Sequence, residues 1–394
     1  MRFSVTETFH GRRGRLGNIS GLRMNSGEQS LDTPTCLLYT QAGSVPHLTC
    51  GMLHKIGDAE NLPALFPLPL IASFAESVAQ FGKGLANFVA LPSHPSFVRI
   101  QDPMTTTPTG FNDRAGVSVW NQGGRIHLNP VSFTRMMEAF QPTCYQALCD
   151  SDTPKDTSRK RLQHAVDRSI SLLDQCLNLK GDSSCLQNSA ILGSIQGGYS
   201  KDFREASAKE TAKRDVDGFV IEGLHINGPQ TKSLKFEEVA QVLDQVIALL
   251  PEDKPRFLHG VLRPEFILRA VLRGIDVFDA SFAHAATEAG CALVFSYSSK
   301  KDLMLMVEGD LLDQELQMDM KDCRHQEDFV PLLGNCACYA CANFTRAYVH
   351  HLLNTGEMLG QVLLSLHNIH HFLGFVKSIC KFLPQYHPKE SNSH

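Results

Sequence analysis

Three cysteines within six residues are the side chains of this sequence best spaced for chemistry. Cys336, Cys338 and Cys341 form a Cys-x-Cys-x-x-Cys motif, which would present three soft sulfur donors from one tight loop. A structural zinc ion binds four ligands in a tetrahedron, and imidazole commonly completes a set of thiolates. The histidines that could supply the fourth ligand are His350, His351, His367, His370 and His371.

The helical patterns after the motif separate these candidates by distance. A helix directly after Cys341 would carry His350 and His351 more than two turns away from the sulfurs. A second helix over 359–366 that packs back on the first would bring His367 near the cysteine loop. Four ligands leave no position open, so we expect one structural Zn²⁺ per chain rather than a catalytic ion. The alternative is that the cysteines are small core residues and the histidines merely polar.

Composition places the chain among intracellular globular proteins. The cysteines outside the motif are scattered, several of them inside apolar runs, as free thiols are. Hydrophobic residues make up 43% of the chain, which is enough for a packed core. The net charge is -4 and the isoelectric point is about 6.5, so no basic excess indicates nucleic-acid binding. RNA binding would then require a local basic patch or a basic partner.

Neither a secretory signal nor a membrane span is predicted. The first twenty residues lack the apolar core of a signal peptide. The uncharged stretch 62–75 is short and contains three prolines, and the uncharged stretch 358–376 contains three histidines. Neither matches a span of about 20 apolar residues. We therefore expect a soluble, cytoplasmic protein with no transmembrane segment, whose contact with any membrane would be peripheral.

Short apolar runs alternate with helical patterns along most of the chain. The candidate strands are the runs at 35–39, 145–148, 190–195, 218–221, 257–261 and 275–278. The candidate helices, with apolar residues three and four positions apart, are 159–179, 236–250 and 264–273. Such alternation predicts parallel strands in an α/β fold, and the polar or glycine-rich strand ends favour a (β/α)8 TIM-type barrel. The main rival is a doubly wound open sheet, whose glycine-rich dinucleotide fingerprint is missing here.

The chain is expected to divide into two structural units and a tail. The barrel is assigned to residues 1–310, and a C-terminal zinc-binding helical subdomain that packs on it is assigned to 311–380. Residues 381–394 are expected to form a disordered tail.

Several motifs occur in an order that resembles the tRNA-guanine transglycosylases. The motifs similar to the zinc-binding end of that family are the cysteine motif, Arg-Ala-Tyr-Val-His-His at 346–351, Gly-Glu-Met-Leu-Gly at 356–360 and Leu-His-Asn at 366–368. The motifs similar to its barrel are Ser-Ile-Gln-Gly-Gly at 194–198, Glu-Gly-Leu at 222–224, and the segments 251–258 and 273–279. The resemblance covers roughly residues 30–375.

The resemblance implies a (β/α)8 barrel with a zinc subdomain, in which His367 is the fourth metal ligand. Family members exchange guanine at the wobble position of tRNA for a deazaguanine, which is queuine in eukaryotes. An aspartate attacks the ribose to form a covalent intermediate, and a second carboxylate handles the protons. By resemblance Asp279 stands at the position of the attacking aspartate. Asp150 and Gln196 stand where the family contacts the base.

Three departures from the family pattern predict that this copy is not catalytic. The run 280–290 after Asp279 contains no Arg or Lys, whereas active members carry arginines there that serve the tRNA. The region 101–110 lacks the motif that holds the proton-handling aspartate, and that role is not assigned to Asp102, which a proline follows. Glu222 replaces a glycine of the family's Gly-Gly-Leu loop, so its side chain would fill the pocket or oppose the base.

We therefore expect no catalytic residue in this chain, with Asp279 as a relic of the nucleophile position. Asp150, Gln196 and Glu222 are expected to line a degenerate pocket. The leading hypothesis is a non-catalytic accessory subunit that pairs with a catalytic homologue in a heterodimer and helps to hold tRNA. A homodimer is the alternative assembly when the chain is alone. The alternative functions are an active base-exchange enzyme that uses other residues, and a queuine-binding or salvage protein.

The resemblance also bears on the location. The family's eukaryotic heterodimer is associated with the outer surface of mitochondria, so a peripheral position on the mitochondrial outer membrane stands beside the cytoplasmic expectation. No targeting segment in the sequence indicates it.

Overall fold

Strands and helices alternate through most of the chain. The computed structural model of the protein describes residues 1–9, 13–59, 61–151, 153, 155–309 and 311–386. The strands are β1 (Arg2–Thr8), β2 (Arg15–Met24), β3 (Gly27–Thr33), β4 (Thr35–Tyr39), β5 (Ala64–Pro67), β6 (Ser96–Arg99), β7 (Val117–Asn121), β8 (Gly124–Leu128), β9 (Cys144–Gln146), β10 (Ala190–Ile195), β11 (Gly218–Ile221), β12 (Arg256–Phe257), β13 (Val277–Asp279), β14 (Cys291–Leu293) and β15 (Gln317–Asp319). The α-helices are α1 (Cys50–Leu53), α2 (Leu68–Ile71), α3 (Ala75–Phe81), α4 (Gly84–Phe88), α5 (Pro130–Phe140), α6 (Arg159–Asp182), α7 (Lys201–Ala212), α8 (Phe236–Ile247), α9 (Pro264–Val271), α10 (Ser281–Ala289), α11 (Lys300–Glu308), α12 (Asp313–Leu316), α13 (Tyr339–Asn343), α14 (Arg346–Asn354) and α15 (Met358–Phe382).

Eight of these strands close into a barrel. Their order around the barrel is β4, β5, β6, β9, β10, β11, β12 and β13, and β13 returns to pair with β4. Every neighbouring pair is parallel. Parallel neighbours require crossover connections, and α6, α7, α8 and α9 lie in four consecutive ones. The predicted (β/α)8 barrel is therefore confirmed, and the open doubly wound sheet is excluded.

Three of the six predicted strands have the bounds that the sequence predicted, whereas the predicted strands 145–148 and 275–278 only overlap β9 and β13. The predicted strands 35–39, 190–195 and 218–221 coincide with β4, β10 and β11, in which every residue is buried. The predicted strand 257–261 is too long, because the chain turns after β12 with the N–H of Leu262 donating to the carbonyl of Gly260 at 2.7 Å.

The predicted helices begin where the structure has them but end elsewhere. Helices α6, α8 and α9 begin at residues 159, 236 and 264, as predicted. Helix α6 is three residues longer than predicted, whereas α8 ends at Ile247. After α8 the N–H groups of Leu249 and Leu250 donate to carbonyls three residues back, so the last turn tightens before Pro251.

An N-terminal sheet closes one end of the barrel. Strands β1, β2 and β3 pair antiparallel in that order. Their apolar side chains share one core cluster with residues from all eight barrel strands, namely Leu37, Leu65, Phe97, Cys144, Leu192, Val220, Phe257 and Val277. Arg15 of β2 donates to the carboxylate of Asp276, immediately before β13, at 2.9 and 2.7 Å. The sheet therefore covers the N-terminal ends of the barrel strands, and the C-terminal ends remain for a site.

A C-terminal lobe packs on the barrel. Strands β14 and β15 pair antiparallel, and their residues share a separate core cluster with α13, α14 and α15. The ring of Phe372 in α15 lies 6.3 Å from that of Phe282 in α10, which joins the lobe to the barrel. None of the helices in the described ranges is long and apolar enough to cross a membrane.

The predicted domain bounds differ from these elements in two places. The lobe's sheet crosses the predicted boundary at 310, because β14 precedes it and β15 follows it. The predicted tail begins at 381, but α15 continues to Phe382 and a 3-10 turn covers Leu383–Gln385. Residues 387–394 of the predicted tail lie outside the described residues.

Candidate functional site

The three cysteines and one histidine meet inside the C-terminal lobe. Cys336 and Cys338 lie in the loop before α13, Cys341 lies in α13, and His367 projects from α15. The Nδ1 atom of His367 is 3.7 Å from the Cys336 sulfur and 3.5 Å from the Cys338 sulfur. It is 3.3 Å from the Cys341 sulfur. Ligands of a tetrahedral zinc ion, with Zn–S near 2.3 Å and Zn–N near 2.0 Å, stand about 3.6 Å apart. The cluster is therefore consistent with a zinc site.

Hydrogen bonds behind His367 determine which ring nitrogen faces the sulfurs. Its Nε2 lies 2.8 Å from the carbonyl oxygen of Leu293, so Nε2–H donates there and Nδ1 is left to ligate. The side chain of Asn368 accepts from the backbone N–H of Leu293 at 2.8 Å and donates to the carbonyl of Cys291 at 2.9 Å. The His-Asn pair therefore fastens α15 to β14 beside the cluster.

Two other candidate histidines have partners away from the cluster. His350 Nδ1 lies 3.0 Å from the carbonyl oxygen of Met320, and His371 Nε2 lies 3.0 Å from that of Phe295. Within the described part of the chain, His367 is the histidine that groups with the three cysteines. The return of the second helix, which the sequence predicted, brings it there.

At the open end of the barrel, a buried ion pair occupies the mouth. Glu222 follows β11 and Arg99 ends β6, and their side chains are 5% and 2% exposed. Nη2 of Arg99 lies 3.2 and 3.3 Å from the two carboxylate oxygens, and Nε2 of Gln146 donates to one of them at 3.0 Å. Burial acts to raise the pKa of Glu222, but the charge of Arg99 and the hydrogen bond from Gln146 outweigh it and lower the pKa. The carboxylate is therefore ionised at neutral pH.

Neither partner of Glu222, Arg99 or Gln146, was predicted from the sequence. Arg99 is the only charged residue of the stretch 97–100, whose other residues are apolar, and a buried charge requires a counter-charge. That requirement was a usable signal for a partner, although it did not identify Glu222. Gln146 gave no signal, because an amide at a strand end fits many environments.

Asp279, at the end of β13, has its carboxylate oxygens engaged by neighbouring groups. Oδ2 lies 3.2 Å from His259 Nδ1 and accepts from the backbone N–H of Gly260 at 3.0 Å. Oδ1 accepts from the backbone N–H of Ser281 at 2.9 Å. Burial acts to raise the pKa of Asp279, but the bond to His259 and the other hydrogen bonds lower it below its ordinary value. The side chain is thus an ionised carboxylate held from several sides.

Asp150 is fully buried and bound by two arginines. Its oxygens accept from Arg161 at 2.6 and 2.8 Å and from Arg168 at 3.1 Å. Asn112 donates to the same carboxylate at 3.0 Å. These bonds satisfy Asp150 without a ligand.

Gln196 is the exception among the predicted pocket residues. It is fully buried, and neither of its amide atoms has a hydrogen-bond partner among the described residues. Gly223, at φ +69°, packs closely against Gln196 and Thr153. A Cβ atom at position 223 would lie 3.2 Å from Gln196 Oε1 and 2.5 Å from Thr153 Oγ1. The cavity that Thr153 lines measures about 30 Å³, which holds little more than a water molecule.

The carboxylate of Asp102, like that of Asp150, is bound by protein groups. The carboxylate accepts from the Tyr39 hydroxyl at 3.1 Å, from the Thr105 hydroxyl at 2.7 Å and from the backbone N–H of Met104 at 3.0 Å. It is 3% exposed. These hydrogen bonds satisfy the carboxylate of Asp102 without a ligand.

An eight-stranded parallel barrel with a Cys3His cluster in a helical lobe is the architecture that the sequence resemblance implies. The sequence model described as queuine tRNA-ribosyltransferase matches residues 10–383. The chain belongs to this family, and a Cys3His cluster is typical of it. The chain is 81% identical to the queuine tRNA-ribosyltransferase accessory subunit 2 of Ixodes scapularis. The alignment covers the whole length of both chains.

More distant relatives carry the same name. The accessory subunit 2 of Homo sapiens is 38% identical to this chain, over 95% of it and 94% of the relative. The accessory subunit 2 of Danio rerio is 37% identical to this chain, over 93% of this chain and 92% of the relative. The similarity thus extends over both the barrel and the lobe.

Replacing Glu222 with Gln should destabilise the protein, because Arg99 would remain buried without a counter-charge. Breaking a buried ion pair from one side costs about 3–5 kcal/mol of unfolding free energy. The pKa of Glu222 is lower in the folded state than its ordinary value of 4.5. The ionised carboxylate therefore contributes fully to the free energy of unfolding above pH 4.5, and this contribution is lost as the pH falls through the folded-state pKa. In urea denaturation, the free energy of unfolding of Glu222→Gln should therefore be much lower than that of wild type at pH 7. The difference between the two should become smaller in acid.

The control for this substitution is Glu210→Gln, which removes an exposed carboxylate paired with Lys213. It should have little effect on stability, since exposed ion pairs contribute little. Equal stability of Glu222→Gln and wild type at pH 7 would show that the buried pair does not stabilise the barrel mouth.

Proposed function

We propose that this chain is the non-catalytic accessory subunit of a heterodimeric queuine tRNA-ribosyltransferase. It would pair with a catalytic homologue and support the exchange of guanine for queuine at the wobble position of tRNA. The observation that carries the proposal is the buried pair of Arg99 and Glu222, which fills the barrel mouth that a base would have to enter. The names of the full-length relatives agree with an accessory role.

The surroundings of the pocket argue against an active enzyme that uses substitute residues. A nucleophile needs a free face toward the ribose, whereas the oxygens of Asp279 are bound by His259, Gly260 and Ser281. Helix α10, which follows it, contains no lysine or arginine that could bind a phosphate. Asp102, to which the proton-handling role is not assigned, has its two carboxylate oxygens bound by the hydroxyls of Tyr39 and Thr105.

A queuine-binding role without catalysis rests on the side-chain amide of Gln196, which has no hydrogen-bond partner among the described residues. A buried amide without partners is an unusual cost, which a polar ligand could relieve. The cavity of about 30 Å³ that Thr153 lines is too small for a deazaguanine, however. Calorimetric titration of the chain with queuine tests this second candidate, and we expect no heat of binding.

The C-terminal lobe is proposed as the surface that faces the partner. Phe329 is 74% exposed, Met358 83% and Tyr348 41%, and large exposed apolar side chains mark interaction sites. The carbonyl of Val330 accepts from the N–H of Arg346 at 2.9 Å, which fixes the Phe329 segment to the start of α14. A two-fold dimer is proposed from the family resemblance, and the same surface would then join two copies of this chain when the catalytic partner is absent.

Contact with tRNA is proposed to occur through the complex. The anticodon would occupy the partner's pocket, and this chain would support the RNA from outside its own barrel mouth. A net charge of -4 agrees with a supporting role rather than strong independent binding. We place the complex in the cytoplasm. Peripheral attachment to the mitochondrial outer membrane is proposed from the family resemblance alone.

One Zn²⁺ per chain is proposed to be held by Cys336, Cys338, Cys341 and His367. The four donors would fill the tetrahedral shell, so the ion would supply folding energy rather than a reactive ligand position. Its place in the lobe that carries the exposed apolar side chains makes the metal relevant to assembly.

Base exchange by the isolated chain tests the proposed function most simply. We expect no incorporation of labelled guanine into tRNA by the wild-type chain, because the pocket is filled and the phosphate donors are missing. Glu222→Gly should not restore activity, since Arg99 would still occupy the mouth and Asp279 would still be bound. Turnover by the purified chain, free of a catalytic partner, would overturn the proposal.

Metal content tests the zinc assignment. After dialysis against a mild chelator, the wild-type chain should retain zinc at a ratio near one. The double variant Cys338→Ser, His367→Ala should lose it and unfold the lobe, because metal binding and folding are coupled. His370→Ala, which changes a neighbouring histidine, should keep the metal. Full zinc content in the double variant would contradict the ligand set.

A further inference from the structure

We propose that His47, His284 and Glu288 form a second, exchangeable site for a divalent transition metal such as Zn²⁺. The site lies at the rim of the barrel, outside the Cys3His cluster. It does not depend on the accessory role proposed above, because the placement and chemistry of these side chains are independent of that role.

The three side chains converge on one point. Glu288 Oε1 lies 2.6 Å from His47 Nε2 and 3.8 Å from His284 Nδ1. All three ligand atoms lie within 4.8 Å of one another. Nitrogen and oxygen ligands of a tetrahedral zinc ion stand about 3.3 Å apart, so side-chain movements of about 1 Å would bring the three ligand atoms to that spacing.

The barrel topology brings these residues together. His47 lies in the loop after β4, while His284 and Glu288 lie one turn apart on α10, which follows β13. Strands β4 and β13 are neighbours in the barrel, so the two connections meet at the same rim. Residues four positions apart on a helix share a face, which aligns the imidazole and the carboxylate.

The loop that carries His47 and the ring of His284 are both held in place before any metal binds. The hydroxyl of Ser365 in α15 donates to the carbonyl of Pro46 at 3.1 Å, which fixes the loop beside His47. The ring of His284 stacks on Tyr39, with ring centroids 5.0 Å apart and an interplanar angle of 22°. A preorganised pair of imidazoles lowers the cost of binding a metal.

The charges also suit a cation. A neutral imidazole is the form that ligates a metal, and the side chain of His284 is only 9% exposed. Among the described residues, the ion-pair partners of Glu288 are His47 and His284, with no lysine or arginine. The carboxylate is therefore available to a metal.

The donor set determines the class of metal and the strength of binding. Two imidazoles and a carboxylate suit zinc and its first-row neighbours, whereas magnesium and calcium prefer oxygen ligands. Three protein ligands leave one position for water, in contrast to the closed Cys3His set. His47 also lines an open cavity of about 820 Å³, so an ion can enter and leave. The ion in this site should exchange readily.

Cobalt titration distinguishes the two sites in the intact chain. Protein that retains zinc at the Cys3His cluster should bind a further equivalent of Co²⁺, measured by calorimetry. The bound Co²⁺ should show a visible ligand-field band without the sulfur charge-transfer band that Co²⁺ bound by cysteine produces. Binding should weaken at least tenfold in His47→Gln and in Glu288→Gln, both of which change side chains at least partly exposed to solvent.

The matched control is His351→Gln, which removes an exposed histidine of α14 and should leave the additional equivalent intact. The melting temperature of the metal-free site variants should match wild type, which separates ligand loss from unfolding. The proposal is overturned if wild type binds no additional equivalent, or if the double variant His47→Gln, Glu288→Gln binds Co²⁺ as tightly as wild type.

Discussion

A carboxylate buried in a barrel mouth requires a positive partner, and the pairing of Glu222 with Arg99 meets that requirement. Removing water from an ion costs several kcal/mol, so the hydrogen bonds around the pair are as important as its charges. Gln146 donates to Glu222 at 3.0 Å, and Arg99 donates to the side chain of Asn227 at 3.4 Å. The ends of β6, β9 and β11 are thereby joined across the mouth. The interactions that stabilise this end of the barrel also occupy the space at its mouth.

Helix α15 connects the other functional features. Its His367 and Asn368 bind β14 beside the cysteine loop, and its Ser365 holds the loop that carries His47. The same helix begins at Met358, whose side chain is exposed. A metal at the cluster would therefore organise the lobe's outer surface and its contact with the barrel. Its effect on activity would pass through assembly, because the cluster belongs to the lobe and not to the barrel mouth.

The sequence predicted the fold and the metal cluster from local patterns. Fully buried strands such as 190–195 are continuous apolar runs, and the cysteine spacing has few other physical explanations. The resemblance to a family then selected His367 from five histidines. The sequence could not predict that Arg99 pairs with Glu222, because the two residues are separated by more than one hundred positions and meet only when the barrel closes. The grouping of His47 with His284 and Glu288 depends on the same closure.

The central claim is that the chain acts through its lobe and not through its pocket. The most direct measurement is base exchange by the reconstituted complex with a catalytic homologue, using two variants of this chain with assembly followed by co-purification. Asp279→Ala, with assembly intact, should leave activity nearly unchanged. Phe329→Ser, which changes the exposed surface of the lobe, should weaken assembly and reduce activity in proportion. A large loss of activity from Asp279→Ala in a fully assembled complex would contradict the account, because it would mean that this pocket takes part in the reaction.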